Sequence, residues 1–360
     1  MSLTRQFTQN KALFEGMSQH MWHYYTAVIM WKSQSPWPSL RGALYDSYLE
    51  TSGGFWGVRR ALTNGLSGRS NASSDASPFR SSSELEPEND SRENELQGLH
   101  VQLDLSTLHL VLLNKGPGTL ELSESIAVES VLLDLATSQE LLHLAWPPAR
   151  DVRHPSTLAP GEVIVSDEAL PWPENEGRTV FLQHRLLRGN EESGAREILA
   201  ANYYWLNDGA VPGQNYSDLG ALVRSSPKLN VTATGSLTIS DLGSGSGKDV
   251  SLSLRMKHDD PAGAAPVAIW TQLTLEVSPF DDDGNDRRVL PTWWSDNGFT
   301  LVPGEERTVH ATIPLHALIS KSAALDDCEL RVLIDGWHVQ PFVLELGSCT
   351  PQAQTLPVMQ

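Results

Sequence analysis

Cysteine is nearly absent. The chain holds two, Cys328 and Cys349, in 360 residues, which is too few for a disulfide framework and leaves their pairing open. Basic side chains are also scarce: 26 Lys and Arg stand against 44 Asp and Glu, a formal charge of -18. A chain this acidic repels a phosphate backbone, and no basic stripe offsets it, so nucleic acid is not an expected partner. No apolar run approaches the ~18 residues of a membrane span, so no membrane partner is expected either. The opening "MSLTRQFTQNKALFEG" has no apolar h-region, and no signal peptide is expected in this chain. Eleven histidines are present, but none falls at a metal-ligand spacing.

What is present is a globular composition, 40% hydrophobic and 19% charged, at a length that usually makes two or three domains. From Phe7 to Tyr25 apolar residues recur three and four apart, at Phe14, Met17, Met21 and Tyr25, which predicts a helix with one buried stripe. Val28 to Trp31 reads as a short, continuously apolar strand of parallel type. Ser39 is placed to cap a helix over Leu40 to Leu49, ending near Gly53 and Gly54, and "GFWGVRRAL" adds a further turn or two. Residues 62–93 then hold nine serines and four large apolar residues. Such a segment cannot bury enough surface to offset its ordering entropy and reads as a disordered insert.

Strands follow. "LHVQLDL", "LHLVLLN", "IAVESVLLDL", "GEVIVS", "TVFLQHRLL" and "ILAANYYWL" alternate between Gly/Pro turns, the pattern of an immunoglobulin-like sandwich. A polar connection with a short helix at "SDLGALV" leads to a second set: "LNVTATGSLTIS", "DVSLSLRMK", "AIWTQLTLEV", "GFTLVPGEERTVHATIP" and "CELRVLIDGW". The expected fold is therefore mainly β, two immunoglobulin-like sandwiches behind the last β/α repeat of an incomplete (β/α)8 barrel. The expected domains are a barrel remnant over 1–61, the insert over 62–97, sandwiches over 98–207 and 229–346, a linker over 208–228 and a tail over 347–360. One repeat leaves its strand with two open edges, so the chain is expected to be truncated relative to a whole barrel.

The same residues carry a family resemblance. "ALFEG…MW…YYTAVIMWKSQSPWPSLRGALYDSYL" resembles the end of the catalytic barrel in glycoside hydrolase family 2, in the branch of exo-β-glucosaminidases and mannosylglycoprotein endo-β-mannosidases. "GLHVQLDLSTLHLVLLN", "ANYYWL" and "VLPTWWSDNGFTLVPGEERTV" are similar to that branch's sandwich segments. Ser33 and Ser35 replace the Thr and Asn of the usual "KTQNPW". The resemblance implies a retaining glycosidase for β-mannosidic or β-glucosaminidic bonds, with no metal or organic cofactor and with a carbohydrate substrate bound only in an intact barrel. It also implies a missing N-terminal portion of the enzyme as partner. With the sequons at Asn71, Asn89, Asn215 and Asn230 it suits a secretory or vacuolar compartment, which the sequence does not otherwise fix.

A retaining enzyme needs two carboxyl groups about 5–5.5 Å apart, and in the family both come from barrel strands before the one retained here. Glu15 lies mid-helix and Glu50 closes the following helix, so neither is expected to serve, and the chain alone is expected to be inactive. Trp31 at the strand end, Lys32, Gln34 and Trp37 are the candidate substrate contacts, since an indole face suits the C–H groups of a sugar and the polar pair suits its hydroxyls. Packing of the barrel rim is the alternative for the two tryptophans, and a structural loop network explains Lys32 and Gln34 as easily. Arg41 and Asp46 read as structural. The alternative function is a non-catalytic sandwich module that binds glycan or protein through Trp293 or Trp294, although the turn chemistry of "SDNG" accounts for that region without it. "DDDGND" (281–286) has its glycine fourth, not sixth as a calcium loop requires, and "GSGSG" (243–247) has Gly245 where a nucleophile elbow has serine. Both read as turns.

Overall fold

The computed structural model describes residues 2–37, 43–65, 98–122, 126–146, 157–173, 178–189, 196–207, 218, 220, 232–240, 249–258, 265–278, 287–319, 329–336 and 339–348. The 66–97 part of the insert, nearly all of the 208–228 connection, the tail from 349, both cysteines, Arg41, the four sequons, "DDDGND" and "GSGSG" lie outside them.

Two helices come first, α1 (Ser2–Gln19) and α2 (Gly53–Leu62). The predicted α1 is present, but its buried face is Thr4, Phe7, Lys11, Phe14 and Glu15, while Tyr25 is exposed beyond its end. The "GFWGVRRAL" segment is the whole of α2. Its Gly53 and Gly57 lie so close to α1 that a Cβ would come 2.0 Å from the Leu3 carbonyl oxygen and 2.3 Å from that of Phe7. Only a residue without a side chain permits that backbone approach.

Nine strands complete the first unit: β1 (Leu99–Leu103), β2 (His109–Asn114), β3 (Leu120–Glu121), β4 (Ile126–Asp134), β5 (Glu140–Trp146), β6 (Thr157–Leu158), β7 (Val163–Ala169), β8 (Val180–Gly189) and β9 (Arg196–Leu206). They form two antiparallel sheets, β1-β2-β7 and β5-β4-β8-β9, with β3 and β6 paired beside them. One core joins both sheets through Leu99, Val101, Leu110, Leu112, Ile126, Val128, Leu182 and Leu199. β8 and β9 are buried almost throughout because their outer face is covered too. Phe7 of α1 stacks on Tyr203 at 5.8 Å and meets Trp205 at 5.4 Å. This explains why "ANYYWL" lacks the alternation of a half-exposed strand.

The second unit is another antiparallel sandwich, made by β10 (Thr232–Ser240), β11 (Asp249–Lys257), β12 (Ala268–Val277), β13 (Trp293–Trp294), β14 (Phe299–Leu301), β15 (Glu306–Pro314), β16 (Glu329–Asp335) and β17 (Phe342–Ser348), with a short α3 (Leu315–Ile319). Its sheets run β10-β11-β15-β13 and β14-β12-β16-β17. The β12–β16 register, from Gln272↔Asp335 to Val277↔Leu330, is unbroken. β11 alternates buried and half-exposed residues, as its sequence predicts.

Two predicted elements are not formed among the described residues. Val28–Trp31 is neither strand nor helix, and no strand pairs with it among the described residues. A short apolar run takes up strand geometry only when a neighbour accepts its backbone bonds. Residues 43–49 of the predicted Leu40–Leu49 helix form bridges and a turn instead. The Tyr45 N–H donates to the Ser33 carbonyl at 2.9 Å. The Asp46 carboxylate accepts the N–H groups of Tyr48 and Glu50 at 2.8 and 2.9 Å, competing with the helical pattern as short acidic side chains do. Asp46 is thus structural, as expected. The 33–52 segment belongs to the second unit and α1 and α2 to the first.

Candidate functional site

The four candidate substrate contacts are all at the surface. Trp31 is 91% and Trp37 64% exposed, and Lys32 and Gln34 are exposed as well. Trp31 and Lys32 belong to the first unit, Gln34 and Trp37 to the second. Gln34 makes a parallel bridge with Tyr45, the one element of regular pairing at these positions. Upstream of them, Trp22, Tyr24 and Ile29 are also exposed; reasoning from the sequence passed over these three because it assigned them to a helix end and a strand.

The densest polar cluster lies elsewhere, at the open side of the first sandwich between the edge strands β1 and β9. Glu15 of α1 is its centre and is 2% exposed. Its carboxylate pairs with Lys11 Nζ at 3.0 Å, accepts the Asn202 Nδ2–H at 2.7 Å and the Tyr204 hydroxyl at 2.9 Å, and lies 3.2 Å from His100 Nε2. Asn202 also donates to the Val101 carbonyl at 2.8 Å, and the Leu103 N–H donates to the Tyr204 oxygen at 2.9 Å. The Gln102 amide reaches the Glu15 carbonyl at 3.1 Å. Lys11 stands 3.3 Å above the Tyr204 ring. One helical carboxylate therefore joins the edges of both sheets.

Its electrostatics follow from burial and charge together. Burial pushes the Glu15 pKa up, but Lys11 and the bonds from His100 and Asn202 outweigh it and hold the carboxyl at about 2. Burial takes Lys11 down to about 8 against the pull of Glu15. It takes Lys115, which donates to the Ala61 carbonyl at the end of α2, down to about 8 as well. His100 falls to about 4 through burial and the nearby Lys115, and His184 to about 3 through burial and Lys11. At neutral pH the cluster is one carboxylate facing an ammonium with neutral imidazoles beside it. Both carboxylate oxygens are engaged and shielded from water, so Glu15 cannot give or take a proton at a substrate. Its role is structural, and it is not a surface residue.

In the second unit Trp294 is buried at 6% exposure and Trp293 is half-buried, and β13 pairs them with Ala311 and Thr312 of β15. The following "SDNG" is a joint between strands. The Asn297 side chain accepts the Leu273 N–H at 2.8 Å and donates to the Leu273 carbonyl at 2.9 Å, pairing with β12 as a strand residue would. The bulge in β12 between Ala268 and Thr271 lies just before it. Asp296 accepts from Arg307 at 3.0 Å, and Arg307 also reaches Glu305 at 2.8 Å. Gly298 has φ +62°, and a Cβ there would lie 2.7 Å from the Trp270 ring. Turn and joint chemistry accounts for the whole motif. Among the described residues no group of three or more His, Cys, Asp or Glu is arranged to hold a metal ion.

Comparison with known proteins gives the following. Residues 202–337 match the family described as the exo-β-D-glucosaminidase Ig-fold domain. The mannosylglycoprotein endo-β-mannosidase of Lilium longiflorum is 24% identical over 92% of this chain and 33% of its own length. The exo-β-D-glucosaminidase of Streptomyces avermitilis is 25% identical over 87% of this chain and 28% of its own length. Among solved structures, the Amycolatopsis orientalis exo-chitosanase CsxA superposes with a TM-score of 0.63 at 19% identity, over 94% of this chain and 34% of that one. This chain thus spans about a third or less of the length of the curated relatives it matches.

Proposed function

We propose that the chain is the C-terminal portion of a retaining glycoside hydrolase of family 2 that acts on β-mannosidic or β-glucosaminidic bonds, on its similarity to an exo-β-D-glucosaminidase Ig-fold domain and to two glycosidases. The observation that carries this is collinear similarity over 92% of the chain to an endo-β-mannosidase and over 87% to an exo-β-glucosaminidase. In this reading residues 1–61 are the closing part of a catalytic barrel, and the two sandwiches are structural modules behind it. The missing N-terminal portion supplies both catalytic glutamates, and the partner of the assembled protein is carbohydrate.

Trp31, Lys32, Gln34 and Trp37 are then the contribution of this chain to the sugar site. What supports them is exposure: Trp31 is 91% exposed, which leaves its π face open to a sugar ring, and Trp37 is 64% exposed. The chain alone is inactive in this reading. The one buried carboxylate of its first helix is locked to Lys11, and the stretch from Val28 to Trp37 contains no acidic residue. The pure 360-residue protein is expected to leave nitrophenyl β-mannoside and β-glucosaminide unhydrolysed; turnover of either overturns the proposal. An immunoblot of the source against the second sandwich, with peptide mapping, is expected to find these residues in a longer polypeptide or in a complex with one. The glycan-binding alternative is not favoured, because Trp294 is core and Trp293 only half-exposed.

A further inference from the structure

The proposed function makes the second sandwich a structural module, yet one of its side chains reaches the segment of the candidate sugar contacts. Residues 33–52, which carry Gln34 and Trp37, belong to the second unit, although the residues on either side of them belong to the first. Glu50 of this segment forms a hydrogen-bonded ion pair with Arg288, 238 residues away in sequence. The two side chains are 31% and 33% exposed, so solvent screens them less than a pair at the open surface.

Both ends of the pair are fixed by backbone bonds. The Val277 N–H donates to the Arg287 carbonyl at 3.1 Å and the Val289 N–H to the Leu275 carbonyl at 2.9 Å. Arg288 thereby lies in an antiparallel bridge against Glu276 of β12, and Val289 beside it is buried. At the other end, the Glu50 N–H donates to the Asp46 carboxylate at 2.9 Å, and the Glu50 carbonyl accepts the Asp46 N–H at 3.0 Å. Two charges already held in place lose little freedom on pairing.

From Glu50 the bonds run on to Gln34. Thr51 makes an antiparallel bridge with Tyr45, and the Ser52 N–H donates to the Leu44 carbonyl at 2.9 Å. Tyr45 in turn makes the parallel bridge with Gln34. Its N–H donates to the Ser33 carbonyl at 2.9 Å, and its carbonyl accepts the Ser35 N–H at 3.4 Å. Gln34 is thus bracketed on both sides, with Ser35 buried, while Gln34 itself stays exposed.

We infer that Arg288 and Glu50 are positioning residues for Gln34: the second sandwich sets the backbone from which this side chain meets a sugar hydroxyl. The inference rests on the reading that Gln34 contacts carbohydrate in the assembled enzyme. A polar contact selects among hydroxyls only when the backbone beneath it is held, and here the holding runs through a different domain from the one that carries the catalytic groups.

The test follows backbone amide exchange by NMR in the 360-residue protein. Arg288→Ala is expected to speed exchange at Ser35, Tyr45 and Ser52 about threefold, the effect of one partly exposed ion pair, while amides of β16 and β17 exchange as before. Exchanging the charges, with Glu50→Arg and Arg288→Glu together, is expected to restore the slow rate. Unaltered rates at Ser35 and Tyr45 overturn the inference. So does equal acceleration in β16 and β17, which would make the pair a general support of the sandwich. If Arg288→Ala does not fold, Glu50→Gln gives the same reading from the other end. In the longer polypeptide that contains these residues, Arg288→Ala is expected to raise KM for the nitrophenyl glycoside about threefold with kcat nearly unchanged. Coupled amides in a polypeptide that hydrolyses neither glycoside keep the link from Arg288 to Gln34 and remove the proposed activity. An active enzyme whose KM does not move does the reverse.

Discussion

Two side chains illustrate how this protein uses buried polarity. Glu15 is fully enclosed, and the partners that satisfy it come from three elements far apart in sequence: His100 is 85 residues away and Asn202 is 187. Removing one member of a buried ion pair leaves the other charged without compensation. Glu15→Gln is therefore expected to destabilise the first unit by about 3–5 kcal/mol, read as a lower midpoint in urea. Adding Lys11→Met to that variant removes the stranded ammonium and is expected to recover part of the loss; a double variant no better than the single would show that the pair is not coupled. Asn297 works through its amide alone, bonding both the N–H and the carbonyl of Leu273. Asn297→Ala leaves two buried backbone groups without partners and is expected to cost about 1–3 kcal/mol, measured by thermal denaturation.

Elements were legible in the sequence wherever one face alone is buried. β4 alternates buried and half-buried residues through Ile126, Val128 and Ser130, and the period of two is visible in its letters. Legibility failed where tertiary neighbours decide. Val28–Trp31 has the composition of a strand but no strand beside it among the described residues, and Asp46 turns a helical pattern into a loop. β5 and β17 went unpredicted because their strand character comes from partners: β5 lies along β4, and β17 lies along β16. The helix pair α1–α2 was half legible. Periodicity predicts α1, whereas α2 reads in the sequence only as a further turn or two, and their close crossing depends on Gly53 and Gly57, which a propensity scale counts only as weak helix formers. At Gly57 a methyl group would overlap the Phe7 carbonyl at 2.3 Å. Gly57→Ala, favourable for an isolated helix, is expected to lower stability here by about 1–3 kcal/mol through overpacking. A raised melting temperature would mean that the two backbones are not in contact.

For the whole molecule, the charge that shapes behaviour in acid is not the -18 on the surface but the few groups sealed in the first unit. Trp31, Lys32, Gln34 and Trp37 were legible in the sequence only as candidates, on the family resemblance and on a strand end that the structure does not form. The Glu15 cluster was not, since half of it is written as ordinary polar residues inside strands. Its consequence is a pH dependence with a definite sign. His100 and His184 titrate near 4 and 3 in the folded protein against 6.5 in an unfolded chain. Below 6.5 the unfolded chain takes up protons that the folded one refuses, so stability falls as pH drops from 6.5 towards 4. Glu15 adds to this lower down: its folded pKa of about 2 lies under the 4.5 of a free glutamate, and its contribution, present above 4.5, is lost between 4.5 and 2. Lys11 and Lys115 act at the other end, near 8 when folded against 10.5 when free. Across that window the unfolded chain holds the extra protons, so stability rises with pH. The midpoint in urea is expected to climb steadily from pH 4 to 6.5, flatten near neutrality and climb again above 8 until the surface charge dominates. His100→Gln, which keeps a donor towards Glu15, is expected to flatten the acid limb while leaving the alkaline one. An unchanged acid slope in that variant would place the proton uptake elsewhere and remove His100 from the account.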